Sequence, residues 1–140
     1  MTFVAMPAWI AAETGGLTAG ILAGAGLMLA GLLLEAVADQ QKQAAKALAP
    51  ATFVTSGLYA RLRHPNYLGE IIFQLGLLVI TVTSASGNWA LAAGIPGPLY
   101  IVILMYYAAR DQDSQQSTRY GNDPAYGSYR QQSSSLLPGL

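Results

Sequence analysis

Polar and apolar positions in this chain fall into long blocks rather than a short alternation. No residue from Thr14 to Leu34 is charged, and none is from Ile71 to Ala109. A helix that crosses a bilayer needs about 20 predominantly apolar residues. The first block is one such span. The second is long enough for two if it reverses, and "SASGN" (Ser84 to Asn88) has the small and polar residues of a turn. The pattern predicts spans over 15–34, 67–84 and 89–109. The first should continue as a helix past the apolar block, because "LLLEAVADQQKQAAKALAP" is rich in helix formers up to Pro50. "GIPGP" (Gly94 to Pro98) should kink or break the third, or delay its start to Pro98. Asp123-Pro124 reads as an N-cap with proline at the first helical position, opening a short amphipathic helix in the tail.

These elements define an all-α fold, an integral membrane helical bundle of about three transmembrane helices plus that short C-terminal helix. It is read as a single membrane domain over 1–140. The parts are an N-terminal segment (1–14), span one with its extension (15–48), a basic loop (49–66), two further spans, and a tail (110–140). The apolar "FVAMPAWIAA" near the start lacks the basic flank of a secretory signal. It is either a helix remnant or an interfacial anchor. "SSSLLPGL" at the end is expected to dock back on the membrane surface.

Composition agrees with a bilayer environment. Charged residues make up 10% of the chain, against about 25% in soluble domains. Seven basic residues balance seven acidic ones, so bulk charge gives no support for nucleic-acid binding. With no cysteine and one histidine, neither a thiolate nor a histidine-rich metal site can be built. All seven basic residues lie between spans one and two or after span three. That places the N-terminus outside and the C-terminus in the cytoplasm.

Three patterns carry candidate chemistry. Gly16, Gly20 and Gly24 form a small-residue stripe that lets another helix approach closely, either within this chain or from a partner or second copy. Glu35, Asp39, Lys42 and Lys46 share one helix face. They are either a solvated, ion-paired face, or the two carboxylates next to the apolar run, Glu35 and Asp39, are functional. "YARLRHPNYLGE" (Tyr59 to Glu70) puts Arg61, Arg63 and His64 ahead of Pro65, a helix start with free amides, which suits phosphate or carboxylate. A plain juxtamembrane anchor needs no Asn66, Tyr67 or Glu70 there, and Glu70 facing lipid would be costly. The tail tyrosines Tyr126 and Tyr129 suit an interfacial belt or a ligand groove.

"GLYARLRHPNYLGE", preceded by "EAVADQQKQAAK" and followed by "RYGNDPAYGSYRQQSSSLLP", resembles the C-terminal half of the membrane steroid 5-alpha-reductase family. The likeness is nearest to its bacterial branch, known as a domain of unknown function, and runs from about Glu35 to Pro138. A looser R-x-P-x-Y-x-G also occurs in isoprenylcysteine carboxyl methyltransferases. The first group binds NADPH, the second S-adenosylmethionine. The glutamate of "YLGE", the E-x-x-x-D-x-Q-K of the extended helix and the D-x-x-Y of the tail resemble the reductases.

By that resemblance, Asp39, Arg63, His64, Asn66, Tyr67, Glu70, Arg110, Asp111, Tyr120 and Tyr129 would contact the cofactor, with Tyr67 and Glu70 as catalytic candidates. The implied function is NADPH-dependent reduction of a carbon–carbon double bond in a steroid- or lipid-like enone, in a bacterial inner membrane. The family is usually longer, with N-terminal helices that supply substrate-polarising residues, so the reading includes an enzyme that needs a partner. The alternatives are an S-adenosylmethionine-dependent membrane methyltransferase and a non-catalytic membrane subunit.

Overall fold

The computed structural model describes residues 2–13 and 16–137. Its elements are α1 (Thr2–Glu13), α2 (Ala19–Leu48), α3 (Pro65–Ser84), α4 (Asn88–Gly94), α5 (Pro96–Tyr120) and α6 (Pro124–Gln132), with a one-turn 3₁₀ helix at Gly57–Ala60. The all-α membrane architecture expected from the sequence is what the structure shows. Among the described residues, three helical stretches are long and apolar enough to cross a membrane: α2, α3, and α4 with α5. The described residues gather into two compact units, one within 1–32 and 70–104 and the other within 33–69 and 105–140. The chargeless blocks fall mostly in the first, here called the apolar unit; the second is the polar unit.

In the apolar unit, the glycine stripe is used within the chain. A Cβ on Gly76 of α3 would lie 2.5 Å from the Gly24 carbonyl oxygen and 2.7 Å from Met28 Cγ, and one on Gly24 would lie 2.6 Å from the Gly76 oxygen. Gly20 abuts Thr83 in the same way, while Gly16 and Gly26 face open space. Gly20 and Gly24 therefore seat α2 on α3 rather than offering a free groove to another chain, the close backbone approach that small residues permit in a membrane. Gly76→Ala is expected to force the helices apart at about 1–3 kcal/mol, and Gly26→Ala to have no such effect. Paired melting curves in detergent check this, and equal melting temperatures would contradict it.

The turn between α3 and α4 depends on Gly87, whose φ of 136° disfavours a side chain. The proline-rich segment breaks the third span earlier than Pro98. The helix is interrupted at Ile95, and α5 starts at Pro96. Gly94 is buried where a Cβ would meet Thr81 and Ile10. The N-terminal segment is a helix of 12 residues, about 18 Å long at 1.5 Å per residue and too short to cross a core of about 30 Å. It packs on α4, with Trp9 and Trp89 tilted at 5.8 Å, both about half exposed.

In the polar unit, α2 runs on to Leu48 as its helix formers predict. Lys46 Nζ then donates to the carbonyls of Pro50 and Thr52, closing the turn after the helix. Gln41 Oε1 accepts from the amide of Leu58 at 2.8 Å. That approach requires Gly57, which has a φ of 62° and no room for a Cβ beside Gln41. Asp123 caps α6 by accepting from the Ala125 amide at 2.9 Å, with Pro124 in the first turn.

Candidate functional site

The polar unit brings the basic-proline junction, the end of α5 and the tail together around one carboxylate. Asp113 accepts from Arg63 Nε at 2.9 Å and from Nη2 at 3.0 Å, a fork-on-carboxylate pair. It also takes a 2.8 Å bond from His64 Nε2. The remaining arm of Arg63, Nη1, donates to the Ser133 and Arg130 carbonyls. Both ends of the ion pair are nearly inaccessible, with side chains 8% and 11% exposed.

The two amides just ahead of α3 are engaged as well. Arg63 N–H donates to the Ser134 carbonyl at 2.8 Å and His64 N–H to that of Ser135 at 3.1 Å, while Ser134 N–H donates to the Arg61 carbonyl at 2.9 Å. Leu62 and Ser134 thereby pair as a parallel bridge. This corrects one sequence expectation. The Arg63 and His64 amides and the Arg63 fork are held by Ser134, Ser135 and Asp113 rather than left open to an anion. The segment expected to dock on a membrane surface bonds to this junction through Ser133 to Ser135; its residues 138–140 lie outside the described residues.

Burial pushes the His64 imidazole below its ordinary value, against the pull of its bond to Asp113. The ring is therefore neutral at neutral pH and donates from Nε2. The unfolded chain, with its imidazole near 6.5, takes up a proton first, so stability falls as pH drops below about 6.5. The melting temperature is expected to be lower at about pH 5 than at about pH 7.5, and His64→Gln should lessen the difference. A slope as steep in His64→Gln as in the unaltered chain would contradict this.

Beside this network lies a cavity of about 40 Å³ lined by Lys42, Lys46, Val54, Tyr59, Arg63, Gln116 and Tyr129. Tyr59 is buried and its hydroxyl has no hydrogen-bond partner. Burial first, and then the Asp39 carboxylate, push that hydroxyl above its ordinary value, so it stays a protonated donor. Tyr129 is also pushed up by burial, to about 12, and its hydroxyl donates to the Tyr59 carbonyl at 2.8 Å. Phe53 stands against Tyr120, Tyr126 and Tyr129 at 5.2–5.6 Å between centroids. Tyr126 and Tyr129 are thus core residues of the polar unit, not an interfacial belt.

The sequence-predicted residues divide accordingly. Arg63, His64 and Tyr129 belong to the network or the cavity wall, and Tyr67 stacks on His64 at 5.5 Å. Asp39 and Asn66 are half-buried in α2 and the first turn of α3. Tyr120 donates to the Ala51 carbonyl at 3.1 Å. Arg110 is exposed, 5.9 Å from the Tyr106 ring, and Asp111 is exposed and accepts from Gln115. Glu70 lies in the apolar unit, where it accepts from Gln74 Nε2 at 2.6 Å.

Sequence reasoning missed Asp113, Tyr59, Gln116 and Ser133, and it read Lys42 and Lys46 only as part of a solvated, ion-paired face. The lysines' four-residue spacing was the available signal. Asp113 had none, because its partners are 49 and 50 residues away.

Residues 1–133 match the family described as "Protein of unknown function (DUF1295)". No curated protein and no solved structure matches the chain.

Proposed function

The chain belongs to the DUF1295 family, and we propose that it is a membrane reductase that uses NADPH to reduce a carbon–carbon double bond in a steroid- or lipid-like enone. The observation that carries this reading is the cavity lined by Lys42, Lys46 and Tyr59, whose hydroxyl has no hydrogen-bond partner. Two ammonium groups and a protonated phenol are all donors, and together they suit a phosphate. A space of about 40 Å³ exceeds what one water needs, ~15 Å³, and takes a phosphate-sized group. The rest of a dinucleotide would lie outside it.

The same donors favour the reductase over the methyltransferase reading. S-adenosylmethionine carries a cationic sulfonium and no phosphate, and two lysines would oppose it. NADPH supplies a hydride, and Tyr67, stacked on His64, is the candidate proton donor for the adjacent carbon. Glu70, the one charged residue of α3, is the candidate that faces substrate.

The experiment is transfer of label. Protein in lipid vesicles is given an apolar enone and NADPH deuterated at the transferred position. The reading predicts a reduced product one deuteron heavier, and unlabelled or unreduced enone contradicts it.

A further inference from the structure

The polar groups inside the apolar unit lie on one side of α3. Glu70, Gln74, Thr81 and Ser84 are spaced at intervals of four, seven and three, so they share a face with Leu77. Gln74, Thr81 and Ser84 are buried, while Leu75 and Val82 on the same helix are exposed. Thr81 is satisfied locally, donating to the Leu77 carbonyl at 2.9 Å.

Gln74 is not satisfied. It is 3% exposed, its Nε2 donates to Glu70, and its Oε1 has no partner. An amide oxygen without a hydrogen bond in an apolar setting costs several kcal/mol, and inside a bilayer there is no bulk water to supply one. Rotating the amide does not remove the deficit. It would turn the oxygen toward the Glu70 carboxylate and leave the N–H₂ unmatched instead.

From this arrangement we propose that Gln74, held in place by Glu70, is the group within the membrane that binds the hydroxyl-bearing end of an apolar molecule. A hydroxyl suits the site because it donates to the free oxygen and carries no charge into a stretch that has none from Ile71 to Ala109. A carboxylate or phosphate would meet Glu70 as a like charge. The bound molecule is therefore a neutral, lipid-like alcohol with its hydroxyl at the depth of Gln74. As the site of a substrate the proposal rests on the reductase reading; as a binding site it does not.

The probe is a long-chain alcohol bearing a photoreactive diazirine, compared with its methyl ether, in phosphatidylcholine vesicles without NADPH. The alcohol is expected to label α3 around Gln74 about tenfold more than the ether, the effect of one hydrogen bond. Gln74→Met, similar in volume, should lose the preference. Equal labelling by alcohol and ether overturns the proposal, and so does an undiminished preference in Gln74→Met. The comparison on the unaltered chain decides the matter even if the variant does not fold. Because no cofactor is present, failure here leaves the NADPH reading standing, and failure of NADPH to bind leaves this result standing.

Discussion

Replacing Asp113 by alanine is expected to lower stability by about 3–5 kcal/mol, a fall in melting temperature of roughly 10 °C or more. The effect is large because of what remains. Arg63, with its side chain 8% exposed, would keep its charge and lose two of its bonds, and His64 would lose the acceptor of its Nε2 proton. The pair need not be a net stabiliser for this to hold, since removing one partner of a buried pair strands the other. The double variant Arg63→Met with Asp113→Leu should therefore melt closer to the unaltered chain than Asp113→Ala does. Melting in detergent checks both, and a single variant within about 2 °C of the unaltered protein would contradict the account. Arg63 also joins the tail to the junction ahead of α3, so cleavage by trypsin after Arg130 should quicken in Asp113→Ala.

Lys42→Glu is expected to weaken NADPH binding roughly 10- to 100-fold, the range for one charge-assisted hydrogen bond, with like-charge repulsion adding to it. Lys42 is the informative lysine because it is exposed and lines the cavity. Lys46 already donates to Pro50 and Thr52, so changing it would also disturb the turn. Binding should weaken as salt rises, since an exposed charge is screened over about 10 Å at 0.1 M. Fluorescence titration with NADPH measures the effect, and unchanged affinity in Lys42→Glu would remove the lysines from the cofactor site.

The elements were legible where a local rule operates. The chargeless runs marked the spans, Pro65 the start of α3, Asp123-Pro124 that of α6, and Gly20 with Gly24 the helix contact. What escaped depends on distance or helical phase. Arg110 and Asp111 were candidates through the family resemblance; both are exposed, and it is Asp113 that carries the network. Two residues along a helix is about 200° around it, so Asp111 and Asp113 face nearly opposite ways, and only the packed structure says which faces Arg63. The tail's bridge to Leu62 joins segments about 70 residues apart in sequence with no pattern to announce it. Gln74 is one polar letter in an apolar block, and its burial was invisible until α3 had neighbours.

The claim that the polar unit holds a phosphate-bearing nucleotide is tested most directly by ligand-dependent melting of the detergent-solubilised protein. At about 100 times its dissociation constant, a ligand that binds only the folded chain stabilises it by about 2.7 kcal/mol, several degrees of melting temperature. The account predicts that rise with NADPH and none with S-adenosylmethionine. A rise with S-adenosylmethionine alone, or none with either, would contradict it.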